Sequence, residues 1–223
     1  MANRVFAATV SRFTAHDSHD FYSHDSRLTI LTISILTIHG SRFSRFYICF
    51  IFLIPFIFLI QKSMITYQPY EDKYKQQIID LILDIQINEF QVPITAEDQP
   101  DLQMIASFYQ VRNGNFWLAL SAEQVVGTIA LVDCGEGVAC LRKMFIHKEF
   151  RSQYGIAQHL LDMLVAQCQS YNFDAIYLGT RAQLQAAIRF YERNGFEPIL
   201  KQNLPAPFPI MAADTDFFVL KLR

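Results

Sequence analysis

A chain of 223 residues, 52% apolar and 18% charged, has the composition of a folded protein with one sizeable core, which excludes a disordered tail. The charge is divided: the first 63 residues hold six Lys/Arg against three acids, and the rest hold thirteen against eighteen, a net −5. An acidic body disfavours nucleic-acid phosphates, which need clustered Lys and Arg, and mildly attracts cationic amines.

The first 63 residues show no core pattern. They are built from Ser-Arg-Phe and His-Asp-Ser units, and their four histidines, from His16 to His39, are too irregularly spaced for a metal set. Their most apolar run, 46–60, is interrupted only by Pro55 and as a helix reaches about 22 Å, short of a hydrocarbon core of about 30 Å. Three readings stay open: sequence upstream of a wrongly assigned start, a membrane anchor behind Arg42 and Arg45, or a targeting segment. The first is the leading expectation, with residues 64–223 as the folded domain. A membrane partner enters only if 46–60 is a real anchor.

Within that domain, Ile65, Tyr67 and Tyr70 suit a first strand ended by Pro69. Ile78, Ile79, Leu81, Ile82, Ile85 and Phe90 recur at three- and four-residue spacing and predict a helix over 72–89, and Pro100 opens a second helix over 100–110. After the Arg112-Asn113-Gly114-Asn115 turn, 116–120 and 125–132 read as a hairpin and 140–146 as a third strand. A helix over 156–170, a short strand over 175–178, a helix over 184–193 ended by Asn194-Gly195, and strands over 196–200 and 216–222 follow. The order is β-α-α-β-β-β-α-β-α-β-β.

Cys49, Cys134, Cys140 and Cys168 form no Cys-x-x-Cys pair, so neither a metal nor a disulfide framework is expected. Reduced thiols in a cytoplasmic protein are the expectation, although Cys134 and Cys140 flank a Gly-rich turn and can face each other across a hairpin.

Two segments carry chemistry. In the first, 141–161, a strand ends in a basic, Gly-containing turn that opens directly into a helix, presenting free amides and a positive dipole end suited to phosphate. Gly155 and Ala157 keep that entry slim, and Arg142 and Lys143 on the strand either add to the positive field or face solvent. In the second, 186–196, Tyr191 lies on a helix four residues before the terminating Gly195. Each alone more often reflects ordinary packing.

Together they resemble the acetyl-CoA-binding core of the GNAT superfamily of N-acetyltransferases, over nearly all of 64–223. The resemblance implies an α+β fold in three layers, a mixed, mainly antiparallel twisted sheet flanked by helices. It implies acetyl-CoA as cosubstrate with no metal, an amine acceptor, no nucleic acid as partner, and direct attack within a ternary complex. Carried over, Met144, Phe145 and Ile146 lend backbone groups to the pantetheine arm. Arg151, Ser152, Gln153, Tyr154, Gly155, Ile156 and Ala157 cradle the pyrophosphate, and Tyr191 protonates the departing thiolate. One departure stands out: Arg151 precedes Gly155 by four positions where the family pattern has three, so the turn is a residue longer or Ser152 takes the basic place. Glu89, Glu97, Asp98, Asp101, Asp214 and His147 are candidate general bases. A small-molecule amine is the expected acceptor, with a protein or peptide acceptor or a non-catalytic CoA-binding module as alternatives. A homodimer is compatible with such a domain.

Overall fold

The computed structural model describes residues 64–152 and 154–223. The run 46–60 lies outside the described residues, with the three readings of the N-terminal segment, and so does Gln153. Among the described residues no helix is long and apolar enough to cross a membrane.

Seven strands form one sheet: β1 (Ile65–Pro69), β2 (Asn115–Ser121), β3 (Gln124–Gly135), β4 (Val138–Ile146), β5 (Ala175–Thr180), β6 (Glu197–Ile199) and β7 (Asp216–Lys221). Their order across the sheet is β1-β2-β3-β4-β5-β7-β6. Every neighbouring pair is antiparallel except β4 and β5, whose parallel pairing requires a crossover, supplied by helix α4 (Ile156–Ser170). That pairing covers only Val138–Cys140 against Ala175–Tyr177. Beyond it β4 runs on to Ile146 and β5 to Thr180 without bonding to each other, so the sheet opens in its middle.

Helices cover both faces, which is why the central strands are apolar at every position rather than at alternate ones. On β2, Phe116, Leu118 and Leu120 pack in a front core with Ile78, Ile82 and Tyr109, whereas Trp117 and Ala119 pack in a back core with Leu160 and Leu164 of α4. The first predicted helix exists but changes gauge: a 3-10 turn (Asp72–Tyr74), helix α1 (Lys75–Leu83) and a π-helix (Asp84–Glu89). The second is broken. Met104 leaves the helical region at φ −127°, dividing it into α2 (Pro100–Gln103) and α3 (Ile105–Tyr109). The break lets the Tyr109 hydroxyl fold back and donate to Asp101, which a straight helix cannot do for residues eight apart. The last helix is α5 (Gln185–Arg193).

Cys134 and Cys140 correct the reduced-thiol expectation: they form a disulfide across the β3–β4 hairpin, with Cα atoms 6.6 Å apart. The cause is local. Gly135, Glu136 and Gly137 all take positive φ, and the register slips between Asp133 and Gly135, so the tight turn swings the two cysteines onto one another. Cys168 stays free and buried, and burial, with Asp133 adding, pushes its thiol up to about 12. Among the described residues no group of three or more His, Cys, Asp or Glu is placed to hold a metal.

Candidate active site

Where β4 and β5 part, the gap widens into a cleft of about 540 Å³. Met144, Phe145 and Ile146 form one wall, and Ala186, Phe190 and Tyr191 of α5 form the other. Met144 and Ile146 turn into the back core and Phe145 into the front core, so β4 offers the gap mainly its backbone edge. With β5 withdrawn, the peptide groups on that edge have no strand partner.

At one end the cleft meets the start of α4. Gly155 is the residue preceding the helix, at φ +62°, a conformation that costs a side-chain-bearing residue about 1 kcal/mol or more. A Cβ there would meet nothing within 4 Å, and no side chain caps the helix. The first-turn amides of α4, at Ile156 and Ala157, therefore face the cleft end with no acceptor from the helix or a cap, where the dipole favours an anion. Ser152, also at positive φ, lines the same end, and Tyr154 is exposed and packs on Phe150.

Arg151 lines the cleft too, but its guanidinium is engaged. Nε donates to the Ile146 carbonyl at 2.8 Å, Nη2 donates to Glu89 Oε2 at 2.8 Å, and Nη1 donates to the other Glu89 oxygen. This forked pair ties the loop before α4 to the π-helix that closes the front of the cleft, and it occupies Glu89 as well.

Tyr191 is 7% exposed and contacts Phe190 and Phe196 edge-on. Among the described residues its hydroxyl makes no hydrogen bond, yet no buried side-chain oxygen or nitrogen lacks a partner, so the hydroxyl opens onto the cleft it lines. Burial pushes the phenol above its usual range, keeping it protonated through neutral and mildly alkaline pH.

The front face of the opening holds charge. A bulge in β4 opposite Ile129 puts Lys143 at φ +49° and carries its ammonium inward, where it lies 3.1 Å from Asp101 and donates to Gln99 at 2.6 Å. The two side chains are only 8% and 11% exposed, so the solvent-facing reading of Lys143 is replaced by a buried ion pair. Burial lowers the Lys143 ammonium and Asp101 partly offsets it; burial raises the Tyr109 phenol, with Asp101 adding. Asp101 is thus committed to Lys143 and Tyr109.

The remaining base candidates separate cleanly. Glu97 and Asp98 are exposed, and Asp98 accepts from the Thr95 amide. His147 caps the short turn after β4, accepting from the Glu149 amide. Of the base candidates named from the sequence, Asp214 is partly buried and makes no ion pair among the described residues. A Cβ on Gly179 would fall 2.1 Å from its Oδ2, so the glycine in β5 makes room for it. Burial raises the Asp214 carboxyl, against smaller opposing effects of Arg142, the Met211 backbone and Arg181. Sequence reasoning found Tyr191 of α5 but did not single out Gly179, for which a glycine inside a strand was the signal.

Residues 79–196 match the model of the Acetyltransferase (GNAT) family. The chain is 38% identical to a GNAT-family acetyltransferase of Staphylococcus aureus Mu50, covering 72% of this chain and 100% of that one at a TM-score of 0.69. It is 33% identical over 101 residues to the N-acetylaspartate synthetase of Danio rerio, a stretch that is 44% of this chain and 36% of that protein, so it spans about a third of that relative's length. At the level of fold alone it is similar to the paia N-acetyltransferase of Thermoplasma acidophilum, solved in complex with coenzyme A, with 14% identity, coverage of 71% of this chain and 99% of that one, and a TM-score of 0.57.

Proposed function

Because the chain belongs to the GNAT acetyltransferase family, we propose that it transfers an acetyl group from acetyl-CoA to the primary amine of a small molecule by direct attack in a ternary complex. The observation that carries this is the parting of β4 from β5, which places an unpaired strand edge, the uncapped start of α4 and the Tyr191 hydroxyl around one cleft. The coenzyme A bound by the Thermoplasma relative and the product in the zebrafish relative's name support the cosubstrate and the small-molecule acceptor.

The residues fit such a cosubstrate, since the open Cβ position of Gly155 and the free first-turn amides leave room for a diphosphate. Acetyl-CoA supplies, when bound, a thioester whose carbonyl carbon accepts the amine. The edge of β4 aligns the pantetheine arm, and its amides stabilise the oxyanion of the tetrahedral adduct. Asp214, possessing the weakened acidity of a half-buried carboxyl, takes the proton that the amine sheds, directly or through water. Tyr191 gives its proton to the sulfur as the C–S bond breaks, and the phenolate is then reprotonated. Burial makes Tyr191 a weak acid, but it raises the proton affinity of a thiolate formed in the same cleft in the same sense.

Calorimetry with the full chain tests the first step: acetyl-CoA should bind with measurable heat, and none at millimolar concentration would overturn the reading. A coenzyme A release assay over amino acids, arylamines, polyamines, aminoglycosides and short peptides identifies the acceptor. Asp214→Asn should lower kcat/KM by about 10²-fold, the lower end of what a general base contributes. Because the base must be ionised, wild-type activity should rise with pH through the raised Asp214 value, and the variant should lack that limb while keeping the one due to the amine.

A further inference from the structure

Five cations among the described residues are partly buried: Lys75, Arg142, Lys143, Arg151 and Arg181. Lys75 donates to the Gln103 carbonyl, Lys143 is paired with Asp101, and Arg151 is paired with Glu89. Arg142 and Arg181 make no hydrogen bond or ion pair among the described residues. A partly buried arginine with no anion in contact keeps its guanidinium free to bind one, so two such groups in one place invite an explanation.

They share a place. Arg142 pairs with Ala130 of the front core, which puts it on the front face, and Cys140 and Tyr177 form the last β4–β5 pair. Two residues beyond that pair stand Arg142 on β4 and Gly179 on β5, at the lip where the strands separate, with the Asp214 carboxylate lying over Gly179. Arg181 follows the end of β5, and both arginines act electrostatically on Asp214 from beyond ion-pair distance. Asp101, the other acid nearby, is spent on Lys143 and Tyr109. The front lip therefore holds two open guanidinium forks around one carboxylate.

We propose that this lip selects the acceptor, and that Arg142, helped by Arg181, holds the carboxylate of an amino-acid-type amine while Asp214 receives its ammonium end. This rests on the acetyl-transfer reading and names its substrate class. The planar fork matches a carboxylate with two parallel hydrogen bonds. A singly charged group also sits beside Asp214 at less cost than a phosphate dianion. The overall charge of −5 over residues 64–223 suggested cationic acceptors, but the groups at the opening favour a zwitterion.

The test pairs each amino acid with its carboxamide, which keeps the amine and side chain and removes only the negative charge. An α-amine next to an amide is more easily neutral, near the peptide amino-terminal range of about 8, so amine basicity alone favours the amide. Wild-type full-length protein should prefer the acid by roughly 10²-fold in kcat/KM, as expected for a charge-paired hydrogen-bonded group. In Arg142→Met that ratio should collapse toward unity through KM for the acid, and Arg142→Lys should recover part of it. Equal use of acid and amide by the wild type, preference for polyamines, or equal loss on both substrates in Arg142→Met would overturn the proposal. A second arm is independent of turnover: calorimetry of N-acetyl amino acids, which carry the carboxylate, on coenzyme-A-saturated protein. Binding that Arg142→Met abolishes, in a protein that acetylates no amine, would support the carboxylate site and sink the transferase reading; no binding by the wild type would sink the site.

Discussion

Replacing Tyr191 by Phe should leave acetyl-CoA binding intact and slow coenzyme A release by at least 10²-fold, within the 10²–10⁴ that a positioned acid contributes. The substitution removes one oxygen. Its ring contacts with Phe190 and Phe196 persist, and since the hydroxyl bonds to no described protein group, no partner is left stranded. Stability should therefore change little, which separates loss of chemistry from loss of fold. Rapid-mixing measurements on the acetyl-transfer step, beside calorimetry with acetyl-CoA, decide the matter. Turnover equal to the parent's would remove the phenol from the reaction.

Lys143→Met should have the largest effect on stability. It leaves the buried Asp101 carboxyl without its cation and with only the Tyr109 hydroxyl as partner, and breaking a buried pair from one side costs about 3–5 kcal/mol. The urea midpoint should fall accordingly. In the double variant Lys143→Met/Asp101→Asn the buried charge is gone while a side-chain oxygen still accepts from the Tyr109 hydroxyl, and most of the loss should be recovered; a double variant no more stable than the single one would show that the pair is not the source. Methionine, like lysine, is unbranched at Cβ, so the backbone strain at residue 143, at φ +49°, is the same in the single and the double variant.

The order of elements was legible because each depends on local periodicity: apolar spacing of three and four for the helices, short apolar runs for the strands, Pro and Gly at the ends. The interruption at Met104 and the π-helix over Asp84–Glu89 were not, since apolar spacing continues across both. Gly155 at a helix entrance and Tyr191 on the following helix were readable for the same local reason. What escaped the sequence is the pairing of distant charges: Arg151 with Glu89, 62 positions apart, and the Lys143–Asp101–Tyr109 network gathered by a bulge. Cys134 and Cys140 lay within reach of inference. The turn between them was visible, but compartment argued against a bond that the geometry makes.

The separation of β4 from β5 carries a further cost. A sheet normally keeps its bare peptide edges at the rim, where charge or proline guards them; this one has such an edge in its interior, along β4 from Leu141 to Ile146. In deuterated water, amides there that point toward β5 should exchange early, while their alternate neighbours, bonded to β3, remain slow. The hazard that an outer strand meets at the rim, a row of bare peptide groups open to another extended segment, is here carried at the centre of the sheet.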